Sequence, residues 1–314
     1  MSYNNDTQWI SAFTLAVTSS SNKVFSNGRH QVEITVGVTP QEGEEVTEEQ
    51  MASIQLVTLD DDGNYQELSG ELQLGTERDE RFDYHPDAGS ASDTTDLEST
   101  TQRRTFYVSS TRPDGSQDTL YAVISKNEEK RYVTHSSEFG ASVTVESVVP
   151  TQVGADDFLF WADNVSNREL ATSRAGCEIY SLAFKDAERR IVASVPRGAG
   201  EGVAYYQNHL DISPWDDANE EEYVPTRFQN FYHHAYKVGE PKEFVFQGTA
   251  IPLNQTPGVM NFVRLKTISD SPEVEFHHDA SRWELLDQYG NAHTIEMKQF
   301  NDGAGMDFEL LEYI

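Results

Sequence analysis

The stretch Val24–Val38, VFSNGRHQVEITVGV, constrains this chain more than any other. Asn27-Gly28 can take the positive backbone angles that a tight turn demands. After it Val32, Ile34, Val36 and Val38 alternate with Gln31, Glu33, Thr35 and Gly37. That period of two puts four branched apolar side chains on one face of a sheet. The same grammar returns near the C-terminus, where Tyr289-Gly290-Asn291 leads into Thr294-Ile295-Glu296-Met297.

Strand and turn signals recur every 8–12 residues along the chain, and no segment sustains helical spacing over three turns. Strands are expected at Ile10–Val17, Ile54–Leu59, Phe106–Ser110, Leu120–Ser125, Tyr132–His135 and Ala141–Val149. Thr47 to Met51 reads as one helical turn, and Tyr65–Leu72 as the return strand of a hairpin. Pro150 and Gly154 mark a boundary. In the second half, Ile179–Phe184 and Arg190–Val195 read as a pair. Further strands are expected at Glu243–Phe246, Asn261–Ile268, Glu273–His277, Trp283–Leu286, His293–Phe300 and Met306–Tyr313, whereas Tyr205–Lys237 has no clean period. The expected fold is all-β: two β-sandwich domains, immunoglobulin-like or jelly-roll-like, with long irregular loops. Residues 1–150 form the first and residues 151–314 the second. The first carries a mobile acidic loop over 78–104, because GSASDTTDLESTT holds almost nothing to bury. The second carries an aromatic and acidic insertion over 205–238.

Asn27 to Val46, NGRHQVEITVGVTPQEGEEV, resembles the start of bacterial immunoglobulin-like domains of the invasin kind. There an N/D-G turn precedes an alternating strand, a loop and a glutamate- or valine-rich entry to the next strand. The resemblance covers roughly residues 15–60. The segment Arg78–Thr101 has no counterpart in that family, and the second half does not match it. The likeness implies a sandwich used in adhesion or structural spacing, and it carries over no catalytic residue.

Charge narrows the partners. The 314 residues hold 53 Asp+Glu against 23 Lys+Arg, a formal net charge of −30, and 26 of the acids precede residue 151. So even a distribution is no acidic tail. It repels nucleic acid and anionic membranes and suits solubility, a saline habitat or a cation such as calcium. Aromatics at 11% still argue for real cores beneath the polar surface. The single cysteine, Cys177, excludes an internal disulfide and reads as a buried apolar residue. MSYNNDTQW has no basic or apolar run, so no signal peptide is expected, and no stretch approaches a membrane-spanning length. The expected location is the cytoplasm, with release by lysis, a dedicated machine or packaging in a particle.

Motifs of catalysis are missing: there is no G-x-S-x-G, H-E-x-x-H, C-x-x-C or phosphate loop. Gly198, Gly200 and Gly202 follow a strand at the wrong spacing for a dinucleotide site. Asp60-Asp61-Asp62-Gly63 resembles a calcium loop, but Thr58 and Ser69 stand where carboxylates are needed, so a hairpin turn is expected. His233-His234 and His277-His278-Asp279, with His209 and His293, contain metal-ligating types, yet adjacent strand residues point to opposite faces. No metal or other cofactor is assigned on sequence.

The stretch Tyr205–Tyr236 stands apart. Trp215, Tyr223 and Tyr232 are interleaved with Asp216, Asp217 and Glu222. Aromatic faces beside carboxylates suit sugar or protein recognition, and the alternative is a loop packing on its own sandwich. The leading expectation is a non-enzymatic structural or recognition protein of bacterial or phage origin, acting as a homo-oligomer or on a protein or glycan. A β-type toxin that oligomerises on membranes is the second reading, with Ala141–Val148 as the nearest lipid-facing hairpin candidate. A carbohydrate-active enzyme using Asp216 and Glu220 is the third.

Overall fold

The computed structural model describes residues 9–309 apart from 61, 88–99, 152, 171–172, 198–203, 213–226, 236, 239–241, 247–248, 270–280 and 300–305. The fold is mostly β, in several sheets. The chain divides into two compact units, Met1–Thr151 with Tyr289–Asn291, and Gln152–Gln288 with Ala292–Ile314. Among the described residues no helix is long and apolar enough to cross a membrane.

Unit 1 contains β1 (Ile10–Val17), β2 (Lys23–Phe25), β3 (Val32–Pro40), α1 (Glu48–Ala52), β4 (Gln55–Leu59), β5 (Tyr65–Glu67), β6 (Leu72–Gly75), β7 (Gln102–Ser110), β8 (Gln117–Ser125), β9 (Arg131–Val133) and β10 (Val143–Val148). One sheet runs β1-β3-β7-β6. The other runs β2-β10-β8-β4-β5, with β9 also beside β8. The alternation of β3 does what its period demands. Val32, Ile34, Val36 and Val38 are all buried, and they join Leu56, Leu120, Ala122, Ile124, Val143 and Val145 of the other sheet in one core. The turn before β3 closes through Asn27, whose Oδ1 accepts hydrogen bonds from Arg29 N (2.9 Å) and His30 N (2.8 Å). Gly28 takes φ 69°, and a Cβ there would stand 3.1 Å from Thr111 Cγ2. α1 begins with a capping box: Thr47 and Gln50 each satisfy the other's backbone N–H.

Residues 78–87 pack on the first sheet. Phe82 and His85 are buried, and Tyr84 Oη donates to Glu33 Oε2 at 2.6 Å. Thr18 Oγ1 donates to the other oxygen of Glu33 at 2.7 Å, and the Arg78 guanidinium lies 4.3 Å from the centre of the Tyr84 ring. Burial and the bond to Glu33 raise the Tyr84 phenol well above its ordinary value. The small polar stretch 88–99, on which the expectation of a mobile loop rests, lies outside the described residues.

Unit 2 contains β11 (Phe158–Leu170), β12 (Ser173–Phe184), β13 (Ile191–Arg197), β14 (Ala204–Ile212), β15 (Arg227–Ala235), β16 (Lys242–Phe246), β17 (Thr249–Leu253), β18 (Met260–Ser269), β19 (Ser281–Asp287), β20 (Ala292–Gln299) and β21 (Met306–Glu309). Its sheets run β11-β12-β18-β15-β14, β13-β19-β20-β21 and β16-β17, all antiparallel. β12 buries both faces. Tyr180, Leu182 and Phe184 enter a core with Phe158, Ile191, Met260, Phe262, Trp283, Leu285 and Ile295. Cys177 and Ile179 face the other way, into a cluster with Val263, Ile251 and Leu253. Cys177 is thus buried among aliphatic side chains.

Three sequence expectations about pairing are corrected. Ile179–Phe184 and Arg190–Val195 do not pair: β12 lies between β11 and β18, while β13 pairs with β19. The turn between them passes from one sheet to another, so Phe184 and Ile191 meet as members of one core instead of as ladder neighbours. Tyr65–Leu72 is not one return strand either. β5 pairs with β4, but Leu72 begins β6, which pairs with β7 in the other sheet. Finally, the stretch without a period contains β14 and β15, paired from Ala204–Ala235 to Ile212–Arg227. Polar and aromatic residues occupy both parities of these strands, which erases the alternation.

Candidate recognition surface

Of the residues that the sequence singles out for recognition, Trp215, Asp216, Asp217, Tyr223 and Glu222 lie outside the described residues. Tyr232 is placed on β15, opposite Gln207 of β14 and Leu265 of β18. His233 and His234 follow it on the same strand, His209 lies on β14, and His277-His278-Asp279 is outside the described residues. Among the described residues no group of three His, Cys, Asp or Glu side chains is arranged to hold a metal ion.

Asp60–Asn64 forms the hairpin turn between β4 and β5. The Asp60 carboxylate accepts from Asp62 N (3.0 Å), Asn64 N (2.7 Å) and Asn64 Nδ2 (3.2 Å), so its lone pairs serve the turn. These bonds from Asn64 hold its carboxyl below the usual range.

That turn positions an aromatic surface. In β8 the even-numbered residues Leu120, Ala122 and Ile124 enter the core, which leaves Tyr121 and Val123 on the opposite face. Tyr121 stands opposite Val57 of β4, Val57 opposite Glu67 of β5, and Leu59 opposite Tyr65. All share this outward face. Tyr65 is 44% exposed, although Val57 and Val123 beside it are buried without belonging to the main core. His135, two residues after β9, stands between the two phenols. Its ring centre is 5.4 Å from that of Tyr65 and 5.4 Å from that of Tyr121, edge to face in both cases. Tyr65 Oη lies 3.0 Å from His135 Nδ1, in a hydrogen bond whose direction follows the imidazole tautomer. Burial raises the Tyr65 phenol above its ordinary value. On the same face Gln55 Nε2 donates to Glu67 Oε1 at 3.4 Å. Apolar ring area with hydroxyl, imidazole, amide and carboxylate tips is chemistry for binding a ligand that is itself part apolar and part polar. The period of β8 carries the signal for Tyr121, whereas His135, expected at the end of a strand, lies in the turn after β9.

A second arrangement of chemical types sits inside unit 2. His293 Nε2 is 3.2 Å from Asp287 Oδ2, and Arg189 Nε is 4.0 Å from the same oxygen. An imidazole oriented by a carboxylate makes two of the three members of a hydrolytic triad. Here Asp287 has no exposed surface, His293 is buried, and the rings of Phe158 and Phe184 stand against the imidazole. Gln288 extends the network by accepting from Arg190 N and donating to Glu188 O. Both groups are buried, at the end of β19 and the start of β20.

No protein-family model matches the chain, and comparison with curated proteins finds no significant relative.

Proposed function

We propose that the protein is a non-enzymatic recognition and assembly protein, of bacterial or phage origin, built from two β-sandwich domains. The first sandwich is of the invasin-like immunoglobulin kind. What supports the sandwich is the pair of sheets in unit 1 whose inward residues share one core. What carries the functional reading is the outward face of Tyr65, His135 and Tyr121, an exposed aromatic surface on a rigid sheet. A glycan suits it: the C–H face of a pyranose packs on an aromatic ring, and Gln55 and Glu67 offer a donor and acceptors to sugar hydroxyls.

The test is a glycan array probed with labelled full-length protein and with Tyr121→Ala. Binding that the substitution abolishes, at an unchanged melting temperature, supports the reading. An empty array, or binding indifferent to Tyr121→Ala, overturns the glycan assignment. Light scattering then tests assembly directly, since a monomer at all concentrations refutes a homo-oligomer.

A further inference from the structure

We propose that the outer edge of β11 is a strand-addition site for an extended partner segment that alternates apolar and basic side chains. The inference concerns a different surface from the aromatic face of unit 1 and stands or falls separately. β11 is a terminal strand: β12 lies on one side, and no described strand lies on the other. A terminal strand offers its outer main-chain groups to another strand, and proteins ordinarily blunt such edges with charge, proline, bulges or short length.

Several other edges show those devices. β6 has only four residues, β13 carries Pro196 and Arg197, and β5 is polar throughout. β1 is long and uncharged, but Phe13 and Leu15 point into the core and no large apolar side chain is exposed along it. β11 is unguarded. Phe158 to Ala162 contains no charge, proline or glycine, and its one register shift falls later, between Asn164 and Ser166. Leu159 is 47% and Trp161 39% exposed, on one face. The alternate residues anchor the strand: the Phe158 ring centre is 4.5 Å from that of Phe184, and Phe160 stacks on Tyr180 at 5.2 Å. The apolar run of the edge is thus packed from its other face.

Charge selects the occupant. Asp156 and Asp157, both exposed, immediately precede the apolar run, Asp163 follows it in sequence, and the whole chain carries −30. A second copy would bring the same acids to the same edge. A strand whose apolar residues flank Leu159 and Trp161 and whose lysines or arginines meet the acids satisfies both features, in the manner of β-augmentation.

The test titrates the full chain, at physiological salt, into a fluorescent heptapeptide of alternating lysine and valine, and reads anisotropy. Three comparisons accompany it: the same peptide N-methylated at every backbone amide, the variants Trp161→Ala and Leu159→Ser, and Tyr121→Ala. Both edge side chains are surface groups, so the variants should fold. The proposal expects binding to the plain peptide, none to the N-methylated one, and a loss of at least about tenfold for each edge variant, as for central aromatic anchors. Tyr121→Ala should bind as the wild type does, whatever the glycan array reports. Absence of binding overturns the proposal. So does equal binding of the N-methylated peptide, or indifference to Trp161→Ala, either of which means plain charge attraction. A chain that light scattering finds dimeric, and monomeric as Trp161→Ala, overturns it in favour of a second copy on this edge.

Discussion

Ile34→Ala tests the central structural claim, that the alternating run of β3 faces the core of unit 1. Ile34 is 0% exposed and lies in β3, between β1 and β7, opposite Val17 and Phe106. Both neighbours are themselves buried and held in ladders, so the space left by the substitution cannot close by local collapse. Removing three carbons forfeits about 2.4 kcal/mol of transfer free energy at about 0.8 kcal/mol each. The residual cavity adds to this, and a total of about 3–5 kcal/mol is expected, in the upper part of the range for Ile→Ala. Thr35, the next residue, is on the other face, where its hydroxyl lies 3.0 Å from that of Thr18 and 3.3 Å from that of Thr105. Thr35→Ala should cost no more than about 1.5 kcal/mol, the worth of a hydrogen bond. Urea unfolding of the two variants, with the denaturant slope held in common, gives both numbers. An Ile34→Ala cost below about 0.5 kcal/mol, or a larger cost for Thr35→Ala, would refute the facing of β3, because a one-residue slip of register exchanges the two faces.

Three further outcomes are expected. Asp287→Ala strips a buried imidazole of its carboxylate and should destabilise the protein by about 3–5 kcal/mol; a melting temperature within a degree of wild type would refute the buried pair. Stability should fall as the pH drops below the ordinary histidine value of 6.5, because burial holds the His85 imidazole below it, against the opposing pull of Asp87 and with Lys23 adding to the depression. The unfolded chain then binds more protons than the folded one, so stability is full above 6.5 and is lost towards and through the depressed folded value. His85 Nδ1 accepts from Asp87 N at 3.1 Å, a bond that protonation removes. Thermal melts between pH 8 and 5 of the wild type and His85→Gln check this, and equal slopes would refute it. Trp215→Ala separates recognition from packing in the Tyr205–Tyr236 stretch: lost binding at an unchanged melting temperature supports a contact surface there, whereas a melting temperature lowered by several degrees with binding intact refutes it.

Local chemistry wrote several features of this protein directly into its sequence. The period of Gln31–Val38 fixes which side chains go inward, since successive strand residues point to opposite faces whatever lies beyond them. Asn27-Gly28 fixes the turn, and Thr47 with Gln50 fixes the start of α1. Asp60–Asn64 closes its hairpin through its own side chains, independent of any distant contact. Partner choice was not legible. Whether Leu72 pairs beside β5 or crosses to β7, and whether β13 joins β12 or β19, depends on contacts between residues far apart in sequence, and short apolar strands carry no label for them. β12 buries both faces, so its apolar residues Cys177, Ile179, Tyr180, Leu182 and Phe184 fall on both parities and its pattern cannot say which face meets which layer. The aromatic surface had the same fate. Period two puts Tyr121 outward, but only the return of the chain after β9 brings His135 between Tyr121 and Tyr65. A side chain's facing is set by its immediate backbone, whereas its neighbours are set by where the rest of the chain comes back.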